Sequence, residues 1–150
     1  MNKTKNMNES SFLKLFFAVV SACFIVAAFI MPDRATAFSG LVKILTGTCK
    51  VSTNYFALGG VSATFLNMGL VCLAMTLLFH FTKTTVNNVS TLAFLLTLGF
   101  CSWGIHIVNM WFVVLGVVVG NLIKKEKPMA NVNAMLFSTG LAPLITDLMV

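Results

Sequence analysis

Residues 92–123 read LAFLLTLGFCSWGIHIVNMWFVVLGVVVGNLI, a run of 32 residues without a formal charge. A hydrocarbon core of ~30 Å is crossed by ~20 apolar helical residues, and ~17 is the practical minimum. The run is too long for one ordinary span and barely long enough for two. Gly99, Ser102, Gly104, His106 and Asn109 crowd its middle. This pattern predicts two short or half-spanning helices that meet at a polar break. Irregular backbone at membrane depth survives only where protein or a water-filled cavity surrounds it. Transporters keep their substrates at such breaks. Trp103 and Trp111 flank this one, and tryptophan marks membrane interfaces. An interfacial turn therefore stands beside a mid-depth tip as a reading of the same residues.

Composition fixes the class. Hydrophobic residues make up 58% of the chain and charged residues 9%, and the mean hydropathy is +0.94. A soluble domain is about a quarter charged. The long uncharged runs exclude a membrane β-barrel, whose strands alternate in polarity over ~10 residues. The expected fold is all-α: a polytopic helical integral membrane protein with short, broken or re-entrant helices. The net charge of +6 comes from ten basic and four acidic residues. The basic residues sit at the chain start, in short linkers and in the 124–127 loop, where they read as orientation signals. No aromatic-interleaved basic patch points to nucleic acid.

Outward from the decisive run, the chain divides into a polar tail, 1–11, and a transmembrane domain, 12–150. A first span covers 12–31, ended by Pro32, Asp33 and Arg34. Its apolar stretch is longer than the ~7–15 residues of a signal core, so an uncleaved span is expected. Residues 36–50 carry Lys43 and two glycines and read as an interfacial or re-entrant helix. Residues 55–81 form a strong span that crosses with tilt, or after an irregular start at Gly59 and Gly60. A polar turn, 83–90, leads into the broken run. The segment 132–150 is apolar again, interrupted by Gly140, Pro143 and Asp147.

Lysine and arginine in short loops set orientation. Lys3 and Lys5 predict a cytoplasmic N-terminus, and two crossings return the chain to the cytoplasm at Lys83. If 92–123 crossed once, Lys124, Lys125 and Lys127 would lie outside, against the positive-inside rule. Entry and return keep them inside, so the charge pattern predicts a hairpin. The expected compartment is the bacterial inner membrane. The apolar end at Val150 reads as the first part of a longer protein.

Candidate functional residues are the polar groups inside apolar runs. Asn67 lies within the second span, where an amide needs a partner, either another helix or a substrate. His106 and Asn109 are three apart and share a helix face. Asp147 is an acid in an apolar segment, with Pro143 placed to break its helix. Asn67, His106, Asn109 and Asp147 are the candidate substrate-binding set. Gly59, Gly60, Gly69, Gly99, Gly104, Gly116, Gly120 and Pro143 are expected at helix breaks or close packing, with 116–120 a GxxxG motif. Cys23, Cys49, Cys72 and Cys101 lack metal-ligand spacing, so neither a metal, a cofactor nor a disulfide framework is expected. No P-loop, HExxH or GxSxG is present, and no enzyme activity is expected.

Three blocks, STNYFALGGVSATFLNMGL (52–70), LGFCSWGIHIVNMWFVVLGV (98–117) and LFSTGLAPLITDL (136–148), resemble the bacterial DUF1576 family. Their shared marks are paired glycines, an intramembrane Asn and a Leu-Ala-Pro turn. The resemblance implies a multi-pass membrane protein, names no substrate, and implies a chain longer than this one. The functional expectation is a membrane transporter or channel-like protein, or its N-terminal part, moving a small solute. The alternative is a non-transporting scaffold or subunit. Expected partners are the lipid bilayer and either a second copy or a missing C-terminal half.

Overall fold

The computed structural model describes residues 2–47 and 53–143, with side chains from residue 9 onward. Seven α-helices occur among the described residues: α1 (Asn2–Ile30), α2 (Ala37–Thr46), α3 (Tyr55–Gly59), α4 (Val61–Phe81), α5 (Asn88–Phe100), α6 (Asn109–Ile123) and α7 (Val132–Ser138). Two segments, Glu9–Ile30 and Val61–Phe81, are long and apolar enough to cross a membrane.

The polar segment 1–11 is helical from Asn2 and continuous with the apolar stretch that follows. No glycine or proline interrupts the sequence before Pro32, so the helix extends back through polar residues that tolerate it. Ser10 also ties this end down: its Oγ accepts a hydrogen bond from the Val86 backbone N–H at 2.9 Å.

α1 and α4 form the antiparallel centre of the fold. Phe17 meets Phe79 at 5.8 Å between ring centroids, Ser21 Oγ lies 3.5 Å from Thr76 Oγ1, and Ala28 packs with Leu66. These α1 residues lie four and seven positions apart, which is one helical face. The opposite face leaves Leu15, Val19, Val26 and Ile30 exposed. Gly69 lets the two backbones approach. A Cβ there would stand 2.9 Å from the backbone N of Ile25 and 2.6 Å from its Cγ1.

The stretch 55–81 is broken rather than continuous. Gly60 separates α3 from α4 with φ +90° and ψ 173°, a conformation reserved almost wholly for glycine. Asn54 caps α3 by accepting from the N–H groups of Phe56 and Ala57. α4 takes its cap from elsewhere in the chain. Ser62 donates its hydroxyl to Asp33 Oδ1 at 2.6 Å, and its N–H lies 3.1 Å from Asp33 Oδ2. A carboxylate satisfies the free N–H groups at a helix start and complements its dipole. These bonds hold the Asp33 carboxyl below its ordinary pKa of 3.8, the Ser62 hydroxyl being the largest cause. α2 realises the short helix expected within 36–50. Its Gly40 meets the backbone of Gly59, and its Ile44 packs with Tyr55 and Ala63.

α5, α6 and α7 settle the sense of the broken run. Asn87 and Ser90 form a capping box at the start of α5. α7 lies along α5 in the same direction: Ser90 donates to Asn133 Oδ1 at 2.8 Å, and further along Thr97 Oγ1 lies 3.2 Å from Thr139 Oγ1. Two helices that run the same way require the one between them to run back. α6 therefore returns to the end at which α5 began. α5 and α6 therefore form a helical hairpin around the turn. Stacked Phe17 and Phe94, 4.1 Å between centroids and 6° from parallel, pack α5 onto α1.

Gly60→Ala is expected to destabilise the protein by roughly 1–3 kcal/mol, since its Cβ also meets Asp33 Oδ2 at 2.6 Å. Gly116→Ala, with open space around it, should stay within about 0.5 kcal/mol. Thermal unfolding of the two purified variants checks this. Asp33 has a folded-state pKa below its unfolded one, so its contribution is complete above pH 3.8 and is lost as pH falls below that value. Asp33→Asn should remove this part of the acid-side loss of stability in a pH series of unfolding curves.

Candidate functional site

The polar break between α5 and α6, residues 101–108, gathers three of the four sequence candidates. Asn67 projects into it from α4 and is fully buried. Its Nδ2 donates to the Cys101 carbonyl at 3.1 Å and the Ile105 carbonyl at 2.9 Å. Its Oδ1 accepts from the Ile107 N–H at 3.2 Å. One side chain thus satisfies three backbone groups that the missing helical turns leave without partners. That meets the rule that buried backbone polar groups are paired.

His106 and Asn109 complete the turn from within. The His106 N–H donates to Asn109 Oδ1 at 2.9 Å, and Asn109 Nδ2 donates to the Gly104 carbonyl at 2.8 Å. His106 Nδ1 accepts from the N–H groups of Val108 and Asn109, each at 3.3 Å. The imidazole therefore caps the start of α6, and an Nδ1 that accepts carries no proton, which leaves the neutral ring with its hydrogen on Nε2.

Gly104 turns the chain at φ +154° and stands against Pro143. A Cβ there would lie 2.6 Å from Pro143 Cγ. Pro143, expected as a helix break, is the last described residue, and its buried ring packs against the turn at Gly104. The Tyr55 N–H donates to the Ser102 carbonyl at 3.0 Å and joins α3 to the same turn. The start of α3, rather than the Gly60 break at its end, thus meets the turn.

The remaining candidates divide. Gly59 and Gly69 are sites of close packing, and Gly60 is a break. At Gly99, Gly116 and Gly120 a Cβ would meet nothing within 4 Å. The GxxxG pair therefore packs against no helix among the described residues. Asp147 and Cys49 lie outside the described residues. Sequence reading misses Asp33, which stands out only as part of a stop signal. It also misses Ser90, Asn133, Thr97 and Thr139, whose polarity alone gives no sign of pairing across helices.

The class defined by this geometry is an all-α bundle: two long apolar helices joined to a broken helical hairpin with a buried, hydrogen-bonded turn. The chain belongs to the DUF1576 family, described as a protein of unknown function, whose family model matches residues 33–150. Comparison with curated proteins and with solved structures gives no match.

Asn67→Leu should be the most damaging change in the turn. It strands two carbonyls and one N–H, at about 1–3 kcal/mol for a buried unsatisfied group. His106→Leu removes only a cap, worth about 1 kcal/mol. Unfolding midpoints of the two purified variants should fall in that order.

Proposed function

We propose that this chain is the N-terminal part, or the whole, of a transporter or channel-like protein of the bacterial inner membrane. α1 and α4 cross the bilayer, and α5 and α6 form a re-entrant hairpin. The observation that carries this reading is the turn at 101–108. α5 and α6, at 13 and 15 residues, extend about 20 Å and 22 Å, short of a ~30 Å core. Asn67, six residues into α4, sets the turn about 9 Å inside the start of that helix. A broken backbone inside a helical bundle is the arrangement in which transporters coordinate substrates.

Charge distribution supports the orientation. Lys3, Lys5, Lys14, Lys83, Lys124, Lys125 and Lys127 belong to the end where Ser10 meets Val86 and Ser90 meets Asn133. Arg34 and Lys43 belong to the other. The lysine-rich end is the cytoplasmic one in this reading.

One observation favours the scaffold reading instead. Both hydrogens of the Asn67 amide are spent on the turn, and so is the Asn109 carbonyl oxygen. Fully used amides serve structure unless the turn opens.

Single cysteines at Ser90, Ser102 and Ile123, labelled in whole cells with a membrane-impermeant maleimide, test the topology. Positions 90 and 123 should both be protected until the cytoplasm is opened. Labelling of 123 alone from outside would mean a single crossing and would overturn the hairpin. Proton and alkali-cation flux into vesicles containing the purified protein separates the two functions. Under the transport reading, Asn109→Leu abolishes flux at normal membrane expression. Loss of expression without a change in flux per molecule favours the scaffold.

A further inference from the structure

Between α4 and α6 the fold leaves an apolar groove of about 450 Å³. Ala74, Leu77, Leu78 and Phe81 of α4 line one side, Trp111 of α6 another, and Met129 of the following loop also contributes. From Ala74 to Thr82, which also lines it, the groove follows α4 for about 12 Å. Lining of this kind suits a hydrocarbon chain better than a polar solute.

The charges around one end say which molecule carries that chain. Thr82 is followed directly by Lys83, and Met129 comes two residues after Lys127. Lys124 and Lys125 follow the last turn of α6. Lys83, Lys124, Lys125 and Lys127 are all exposed. The one acid in that loop, Glu126, accepts from Asn131 Nδ2 at 3.4 Å. An apolar slot whose end is flanked by four cations and one acid is complementary to an anionic amphiphile.

We propose that the groove holds an acyl chain of an anionic phospholipid, with its phosphate against Lys83 and the 124–127 loop. This rests on the membrane reading above. The site gives the basic loop a role beyond orientation, since a bound headgroup would link the end of α4 to the end of α6.

The chain has two tryptophans, Trp103 and Trp111, and only Trp111 lines the groove. The test uses the full chain with Trp103→Phe, in phosphatidylcholine vesicles carrying an equal fraction of bromoacyl phosphatidylglycerol or bromoacyl phosphatidylcholine. Bromine quenches indole fluorescence on contact. Trp111 is expected to be quenched about twofold more by the anionic lipid, and Lys83→Gln with Lys124→Gln and Lys127→Gln should abolish the excess. Helicity by circular dichroism confirms that each variant is folded. Equal quenching by the two lipids overturns the site. So does the same anionic excess at Trp103 in the Trp111→Phe variant, which would reflect general enrichment of anionic lipid. Quenching of Trp103 with none of Trp111 means that protein, not lipid, fills the groove, and overturns the site as well. No quenching of either residue by either lipid overturns the membrane reading itself.

Discussion

The Asn67 amide holds the structure's least regular element in its most protected place. A helix that stops inside a bundle exposes carbonyls at its end and N–H groups at the start of the next helix. Cys101 and Ile105 leave such carbonyls, and Ile107 such an N–H. Asn67 answers all three from a neighbouring helix. Without it the turn would need water or would have to move to a surface. Because α4 also packs against α1 along its length, the turn is fixed relative to the two longest helices of the fold.

The second break follows the same logic with a charge in place of an amide. Gly60 interrupts the chain, and Asp33 supplies the acceptor that the start of α4 lacks. Asp33 and Gly60 are mutually dependent: the carboxylate occupies space that any side chain at Gly60 would claim. The Tyr55 to Ser102 bond then joins the start of α3 to the turn at 101–108. At both breaks a polar group from a distant segment, Asn67 or Asp33, meets backbone groups that the interruption leaves free.

Much of this architecture is legible in the sequence. The uncharged run 92–123, too long for one helix and nearly too short for two, locates the break, and the lysines after it give the sense of the return. Gly60 is recognisable as an irregular start because paired glycines interrupt an apolar helix. The polar start of α1 shows that polarity alone does not end a helix, since no glycine or proline interrupts the chain before Pro32. At the GxxxG of 116–120 small residues permit close approach without naming the partner.

Sequence by itself determined the helical class, the position of the breaks and the direction of the chain after them. Each of these follows from local hydrophobicity, glycine and charge, which act within a few residues. Only the tertiary structure decided what the polar side chains do. Asn67 finds its partners 34 to 40 residues away along the chain, and Asp33 finds Ser62 across 29. An amide in an apolar helix states that it needs a partner. Which backbone group answers depends on how the helices pack, and that distance is not written in any single segment.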